Sequence, residues 1–524
     1  MKKEPCHIVP ESFLNKHRGK ITGFLSGLDR VRFHGCLRML AQPTIAKLYL
    51  ERQNVLLKDF KEFAEATTKT IRAVAVSAAT ALGRPVVYLP SSAQSKEELA
   101  SEIARKDGVN TGLVAVFSVV EPCQTYTVVG NREAKMLELS YRPGKCIHLY
   151  HYHQHPKYGS MHVRVQTWMP WSVDICMNGR EWLARSMDAE GLGYEKRDNC
   201  FARLKDMDRA QELMDEQLKK DWEKALFGLL DEAHPLHRKL SAPLGQPYYW
   251  SASATEYATD VMFRRETDLA AIYPALLHHG IRTFGSADIL RFLGHREPAK
   301  FRGEVTSTLK RRPEGVRIKH SANGNSLKMY DKQGSVLRVE TTINHTREFK
   351  VYRASDTDPQ HKCKWMRMRS GVADLWRRCE ISRKANERYL SALASVENQT
   401  TLKEQTRELC RPVTIDGRRH RAINVFDQTD AQLLQTVSAG DYAINGWRNR
   451  DLRKILFGET TDRQEGRRQS AAITRKLALL RAHGLIRKVS GTHRWMLTEH
   501  GRFTVTAVLA AREASVVKLA QMAA

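Results

Sequence analysis

Residues 112–155 read GLVAVFSVVEPCQTYTVVGNREAKMLELSYRPGKCIHLYHYHQH, followed by MHVRVQTWMP (161–170) and SVDICMNG (172–179). Apolar and polar residues alternate through much of this stretch, which is the period of strands with one buried face. Turn residues punctuate it at Gly130-Asn131, Pro143-Gly144 and Tyr158-Gly159. The pattern predicts an antiparallel meander, closed by a helix at REWLARSMDAEG (180–191).

Upstream, apolar residues at three-to-four spacing through residues 20–85 predict helices, GRPVVYLPSS (83–92) a short strand and turn, and SKEELASEIARKDG (95–108) a helix capped by Ser95. Downstream, residues 206–232 read as helical, and a second mixed segment opens at PYYWSASATEYATDVMF (247–263) and continues through a helix ending near His279. FGSADILRFLGHR (284–296) predicts a helix from Ser286, its N-cap, to Gly294. Residues 315–344 predict a two- or three-stranded unit with turns at Asn323-Gly324 and Gln333-Gly334; 354–362 reads as an exposed loop and Val372 to Ala394 as helix. The fold class expected is multidomain α+β. It comprises a helical N-terminal region (1–110), a β-meander domain with a His-rich strand (111–205), and a mixed domain (206–400) holding a candidate helix-turn-helix (284–315) and a β-hairpin (316–344). A linker (401–435) then leads to a C-terminal winged helix-turn-helix (436–524).

The chain has 524 residues, 85 Lys+Arg against 58 Asp+Glu, a net charge of +27 and 42% hydrophobic residues, a globular composition too long for one core. The longest apolar run, Gly112 to Val120, is far short of the ~18–20 residues a spanning helix needs. MKKEPCHIVPESF has no apolar block and does not read as a secretory signal, so a cytoplasmic location is expected and a membrane partner is not. Nine cysteines, widely spaced and without a CxxC pair, argue against a disulfide framework and against a thiolate zinc site. Residues 1–280 carry 38 basic and 33 acidic residues, a net of +5; residues 281–524 carry 47 and 25, a net of +22. Segregated positive charge without an amphipathic basic helix points to nucleic acid, DNA ahead of RNA, with a homodimer as a further expectation.

The sharpest signal is at the C-terminus. NRDLRKILFG (449–458), a polar turn and RRQSAAITRKLALLRAHGLI (467–486) predict two helices, the second with an apolar face of Ile473, Leu477, Leu480 and Leu485. IRKVSGTHRWMLTEHGR (486–502) predicts a wing turning at Ser490-Gly491. A winged helix sets its recognition helix in the major groove and basic side chains on phosphates. That assigns DNA contact to Arg467, Arg468, Gln469, Arg475, Lys476, Arg481, Arg487, Lys488 and Arg494.

Two further sites are candidates. In CIHLYHYHQH, alternation puts His151, His153 and His155 on one strand face and His148 on the other. His151-Tyr152-His153 resembles the metal-binding pair of HUH-type endonucleases, which implies Mg or Mn as cofactor and a tyrosine nucleophile on a nearby helix; Tyr389 in KANERYLSAL is the candidate. The second is LKMYDKQGSVLRVETTIN (327–344), with Tyr330, Asp331 and Glu340 as candidate catalytic residues. It resembles the YDK…R-x-E element of plasmid and filamentous-phage replication initiators, which implies Glu340 near the nicking tyrosine. Asp260 and Glu256 in EYATDVMF are candidate added carboxylates.

VLLKDF (55–60), EPC (121–123), HVRVQTW (162–168), NGREWLAR (178–185), EYATDVMF (256–263), RPEGVRIKH (312–320) and KMYDKQGSVLRVETTIN (328–344) span nearly the whole chain. With them the sequence resembles a widespread uncharacterised bacterial family, sometimes labelled MarR-like for its last domain. The resemblance implies relatives and no mechanism. A MarR regulator is one small winged helix, whereas about 440 residues precede that unit here. Three readings stay open: a DNA-processing protein of a mobile or replicating element, of the replication-initiator, transposase or nuclease kind; a non-enzymatic winged-helix regulator; and an RNA-binding scaffold, from the basic and aromatic alternation of KCKWMRMRSGVADLWRR (362–378).

Overall fold

The computed structural model describes residues 11–295, 301–312, 315–354, 363–394, 402–415, 417–439, 446–489 and 492–515. The expected loop beyond Ala354, the Ser490-Gly491 turn and Cys6 lie outside these residues. The chain is mixed α+β with antiparallel-dominated pairing, and it divides into two units. One, the meander unit, takes Leu25–Tyr257 and Arg369–Cys379; the other, the C-terminal unit, takes Met1–Phe24, Ala258–Met368 and Glu380–Ala524.

The C-terminal unit supplies the first helix, α1 (Glu11–Lys16). The chain then enters the meander unit along β1 (Ile21–Cys36), α2 (Pro43–Arg52), α3 (Phe60–Ala81), β2 (Val86–Leu89) and α4 (Lys96–Lys106). β3 (Gly112–Asn131), β4 (Met136–His155), β5 (Gly159–Gln166) and β6 (Val173–Asn178) form the expected meander, closed by α5 (Gly179–Ala189). A small hairpin, β7 (Tyr194–Arg197) and β8 (Cys200–Leu204), then α6 (Met207–Leu218), α7 (Trp222–Ala233), α8 (His237–Ser241) and β9 (Tyr249–Phe263) complete the unit, whose strand order is β9-β1-β6-β5-β4-β3-β2.

Two details differ from the sequence reading. Pro143-Gly144 does not reverse the chain: it sits inside β4, opposite Gln124 and Cys123 of β3, so six expected strands merge into four longer ones. Residues 21–36, expected as helix, form a strand with Val31 and Phe33 buried and Arg30 and Arg32 exposed, paired with β6. Alternation won over helical spacing because a neighbouring strand supplies the ladder.

Alternation gives this sheet two chemically different faces. Phe33, Ile175, Val163 and Leu149 point to one side, where α2, α3 and α7 bury them. On the other side α4 packs its apolar residues on the β2-β3-β4 end, through Leu89, Phe117 and Tyr150. Its cap is as expected: Ser95 Oγ accepts the Glu98 N–H at 3.3 Å.

In the C-terminal unit, α9 (Glu266–Arg282) and α10 (Ser286–Leu293) lead into β10 (Val305–Arg312), β11 (Gly315–Ala322), β12 (Asn325–Lys332) and β13 (Val336–Ile343). With Ala258–Phe263 of β9 and Ile21–Phe24 of β1 their order is β10-β11-β12-β13-β9-β1. Among the described residues of the candidate helix-turn-helix at 284–315, no second helix follows α10: VTSTLKRR is β10, laddered to β11 from Val305↔Ala322 to Arg312↔Gly315. The turns at Asn323-Gly324 and Gln333-Gly334 are present, all four residues at positive φ. After β14 (Lys350–Arg353) and β15 (Lys364–Arg367), α11 (Leu375–Leu393) contributes its part from Glu380 to a core with α9 and α10 over Ile318, Leu327, Met329 and Val339.

The segment expected as a linker carries structure: α12 (Leu402–Thr406), β16 (Val413–Ile415), β17 (Arg418–His420) and α13 (Gln428–Val437). α14 (Asn449–Phe457), α15 (Arg463–Ala482), β18 (Ile486–Lys488), β19 (Trp495–Leu497) and α16 (Glu499–Glu513) follow. Trp447, Leu452, Ile473, Leu480, Leu485 and Leu509 form the core of this module, each such side chain contributing about 1.5–3 kcal/mol on burial. α16 approaches the start of the hairpin so closely that a Cβ on Gly501 would lie 2.0 Å from the Leu485 carbonyl oxygen. Gly501→Ala is therefore expected to destabilise the module by about 1–3 kcal/mol in urea unfolding, and an unchanged midpoint would contradict this packing.

Candidate functional site

α14, the second half of α15, and the hairpins β16-β17 and β18-β19 enclose a groove of about 1010 Å³. Arg448, Arg450 and Arg453 come from the start of α14, Arg481 from the end of α15, Arg418 from β17 and Lys488 from β18, with His420 and His493 beside them. No carboxylate lines it among the described residues. The local reason is the helical repeat of α15. Ile473, Leu477 and Leu480 take the core, and Ser470, Thr474, Ala478 and Arg481 fall on the adjoining stripe, where three small side chains leave the space open. Asn449 Nδ2 donates to Ser470 O at 2.9 Å and to Thr474 Oγ1 at 3.0 Å, fixing the first turn of α14 to α15.

Of the basic residues picked out in sequence, Arg481 and Lys488 line this groove. Arg467, Arg468, Arg475 and Arg487 are exposed but outside its lining, and Lys476 is half-buried. Two expectations fail. Gln469 is buried on the core side of α15, with Nε2 donating to Glu465 at 3.3 Å. Arg494 is buried, donating through Nη1 to Gly446 O at 3.1 Å and standing 4.8 Å over the Tyr352 ring; it braces the hairpin rather than facing a ligand. Arg418, Arg448, Arg450 and Arg453 were missed because their convergence is tertiary; the run WRNRDLRK (447–454) at a helix start was the available signal.

The candidate catalytic residues are divided between the two faces of the β10-β11-β12-β13 strands and the helix packed on them. Lys328 lies opposite Glu340 and Tyr330 opposite Arg338 in the ladder, so all four share a face. Glu340 accepts from Lys328 Nζ and, at 2.8 Å, from Tyr330 Oη. Burial works against its charge, but the Lys328 ammonium, Arg338 and the Tyr330 hydroxyl hold the carboxyl below the ordinary glutamate range. Asp260 accepts both arms of Arg338, at 2.6 and 2.8 Å, with neither side chain exposed.

Asp331 is one residue out of step and points to the helix side, where burial raises its pKa. Tyr389 is also on the helix side, bonded to His320 Nε2 at 3.1 Å and packed between Phe284 and Phe292 with no exposure. Burial raises its phenol pKa. Thr341, the neighbour of Glu340, donates to Asn386 of α11 at 2.7 Å, so Tyr389 and Glu340 face opposite sides of the strand. The pairing expected of a nicking centre is absent because α11 delivers Tyr389 to the core.

On β4, His151 and His153 face the apolar core. Burial pushes His151 down to about 3, with His153 and His234 adding to the effect, and His153 down to about 4. His155 Nδ1 accepts the Lys157 and Tyr158 N–H groups at 3.0 and 3.2 Å, which makes it a turn cap. Among the described residues, these three are not a group whose donor atoms converge within 4.8 Å; Cys123, Cys146 and His148, on the opposite face, are. That face also carries a polar line that runs from α4 across five strands, β3, β4, β5, β6 and β1. Lys96 meets Glu121 at 3.1 Å, and Glu121 accepts from Tyr150 at 2.7 Å and from Arg164 Nε at 3.2 Å. Arg164 Nη1 reaches Asp174 at 2.7 Å, and Asp174 holds His34 Nδ1 at 2.8 Å.

No protein-family model, curated protein or solved structure matches the chain, so the sites are defined by their own geometry.

Burial opposes the charge of His34, but the hydrogen bonds to Asp174 and Cys36 raise its pKa to about 9. A raised folded pKa stabilises fully below the unfolded value near 6.5 and is lost as pH climbs through about 9. The melting temperature should fall between pH 7 and 9.5, with His34→Gln flattening that slope; equal slopes would contradict the pair. Asp260→Asn, which leaves the Arg338 guanidinium buried without its carboxylate, is expected to cost about 3–5 kcal/mol in denaturant unfolding.

Proposed function

We propose that the protein binds nucleic acid, DNA ahead of RNA, through its C-terminal module, which we read as a winged helix. Its order of helix (α13), bridging residue (Trp447 paired with Trp495), helix (α14), helix (α15) and hairpin (β18-β19) is the order of that fold. The observation that carries the reading is the groove: six guanidinium or ammonium groups and two imidazoles around one concavity, with no lining carboxylate among the described residues. Converging like charges repel one another, and a polyanion that sheds its counterions on binding relieves that repulsion. Duplex DNA is favoured because its major groove admits a helix such as α15, whereas the deep, narrow major groove of A-form RNA does not.

Within this reading a non-enzymatic DNA-binding regulator draws more support than strand cutting. Tyr389 is enclosed by aromatic rings and Glu340 is neutralised by Lys328, so neither is placed to attack a phosphodiester.

The test is electrophoretic retardation of duplex DNA by the full chain and by an Arg418→Glu, Arg481→Glu, Lys488→Glu variant, whose altered side chains are exposed. Affinity is expected to fall on the order of a hundredfold and the log–log salt slope to shrink by roughly 0.9 for each phosphate that is no longer neutralised. Reversal of the outer row, Arg467, Arg468 and Arg475, is expected to weaken binding less. Unchanged affinity and slope in the groove variant, or stronger competition by duplex RNA than by DNA, would overturn the reading.

A further inference from the structure

Three donors meet in the meander unit with no part in the proposed function. Cys123 of β3 and Cys146 and His148 of β4 bring two sulfurs and an imidazole nitrogen within 4.8 Å of one another. Sequence spacing conceals the group, because the turn end of the β3-β4 hairpin lies between Cys123 and Cys146. The ladder aligns Glu121 with Cys146 and Cys123 with Gly144, which sets the thiols diagonally on one face with Sγ atoms 3.3 Å apart. Two residues beyond Cys146, His148 falls on the same face.

His148 is fully buried, its Nδ1 lies 3.2 Å from the Cys146 carbonyl oxygen, and its Nε2 has no hydrogen-bond partner. A carbonyl only accepts, so Nδ1 carries the proton and Nε2 keeps its lone pair. That is the arrangement of a metal-ligating histidine, whose other nitrogen donates to a backbone carbonyl. Without an ion, the buried Nε2 keeps the desolvation penalty of an unmade hydrogen bond.

We propose that Cys123, Cys146 and His148 form a site for a thiophilic d10 cation, zinc first. Two thiolates and a neutral imidazole cancel the charge of Zn²⁺, and soft sulfur donors disfavour Mg²⁺ and Mn²⁺, which take oxygen. At a Zn–S distance of about 2.3 Å, tetrahedral geometry separates two sulfurs by about 3.8 Å, so the thiols move apart by roughly half an ångström to admit the ion. Cys123 is half-buried, which leaves the fourth position open to water or to a ligand atom.

The probe is Co²⁺ itself, added to the reduced, chelator-stripped full chain and then displaced by Zn²⁺. One equivalent is expected to bind with tetrahedral visible bands and a thiolate-to-cobalt charge-transfer band. Cys123→Ser should reduce that band and weaken uptake by at least the ~10–100-fold that loss of an outer-shell partner costs; Cys176→Ser should leave both unchanged. A second measurement needs no variant: Zn²⁺ should slow alkylation of Cys123, read by peptide mass, and a chelator should restore it. The proposal is overturned if no tetrahedral spectrum develops, if Cys123→Ser binds as tightly as the parent chain, if Zn²⁺ leaves the alkylation rate of Cys123 unchanged, or if the freshly isolated chain carries a Cys123–Cys146 disulfide and no metal.

Discussion

Antiparallel register is the constraint on which the meander unit depends. From Asn131↔Met136 at the turn, β3 and β4 pair along nearly their whole length, shifting once between Leu113 and Ala115. A one-residue slip would exchange the two faces of every strand beyond it. In the observed register, Leu149 and His151 go to the core with Val163 and Ile175, and Cys146, His148 and Tyr150 go to the other side with Arg164 and Asp174. The ionic line from Lys96 to His34 is therefore largely a product of pairing: Glu121, Arg164, Asp174 and His34 sit on four different strands, the register sets them on one face, and Lys96 of α4 closes the end of the line. Partly desolvated charges of this kind persist because each is paired and hydrogen-bonded.

The same rule explains why the initiator-like element does not assemble as its spelling suggests. Lys328, Tyr330, Arg338 and Glu340 are two residues apart on adjacent strands and meet, whereas Asp331 is one residue out of step and does not. Their charges are satisfied locally, by Lys328 and Tyr330 on Glu340 and by Arg338 on Asp260. Tyr389 belongs to the helical layer, and its burial among Phe284 and Phe292 makes it a packing residue.

In the C-terminal module, charge and packing are divided by the 3.6-residue period. α15 gives one stripe to Ile473, Leu477 and Leu480, the next to Ser470, Thr474, Ala478 and Arg481, and leaves Arg467, Arg468 and Arg475 outside. Part of the basic excess of residues 281–524 thereby falls into a concave set and an outer row. Arg494 shows that a basic residue beside the β18-β19 hairpin is not automatically a ligand contact, since its guanidinium is spent on Gly446 O and the Tyr352 ring.

Much that is local was legible in the sequence: the meander, the turns at Asn323-Gly324 and Gln333-Gly334, the Ser95 cap, and the buried face of Ile473, Leu477, Leu480 and Leu485. Those features follow from periodicity and from residues suited to positive φ or capping, which act over a few residues. Residues 21–36 and 305–312 were not legible as strands, because a strand is decided by its partner as much as by its own spelling. The basic groove and the Cys123-Cys146-His148 group were not legible either, since their members lie on different elements and become neighbours only through helix packing and strand register. The sequence by itself determined which faces are apolar, where the chain turns and where positive charge accumulates. Tertiary structure alone decided which charges and donors converge, because convergence depends on distances between elements that no local period encodes.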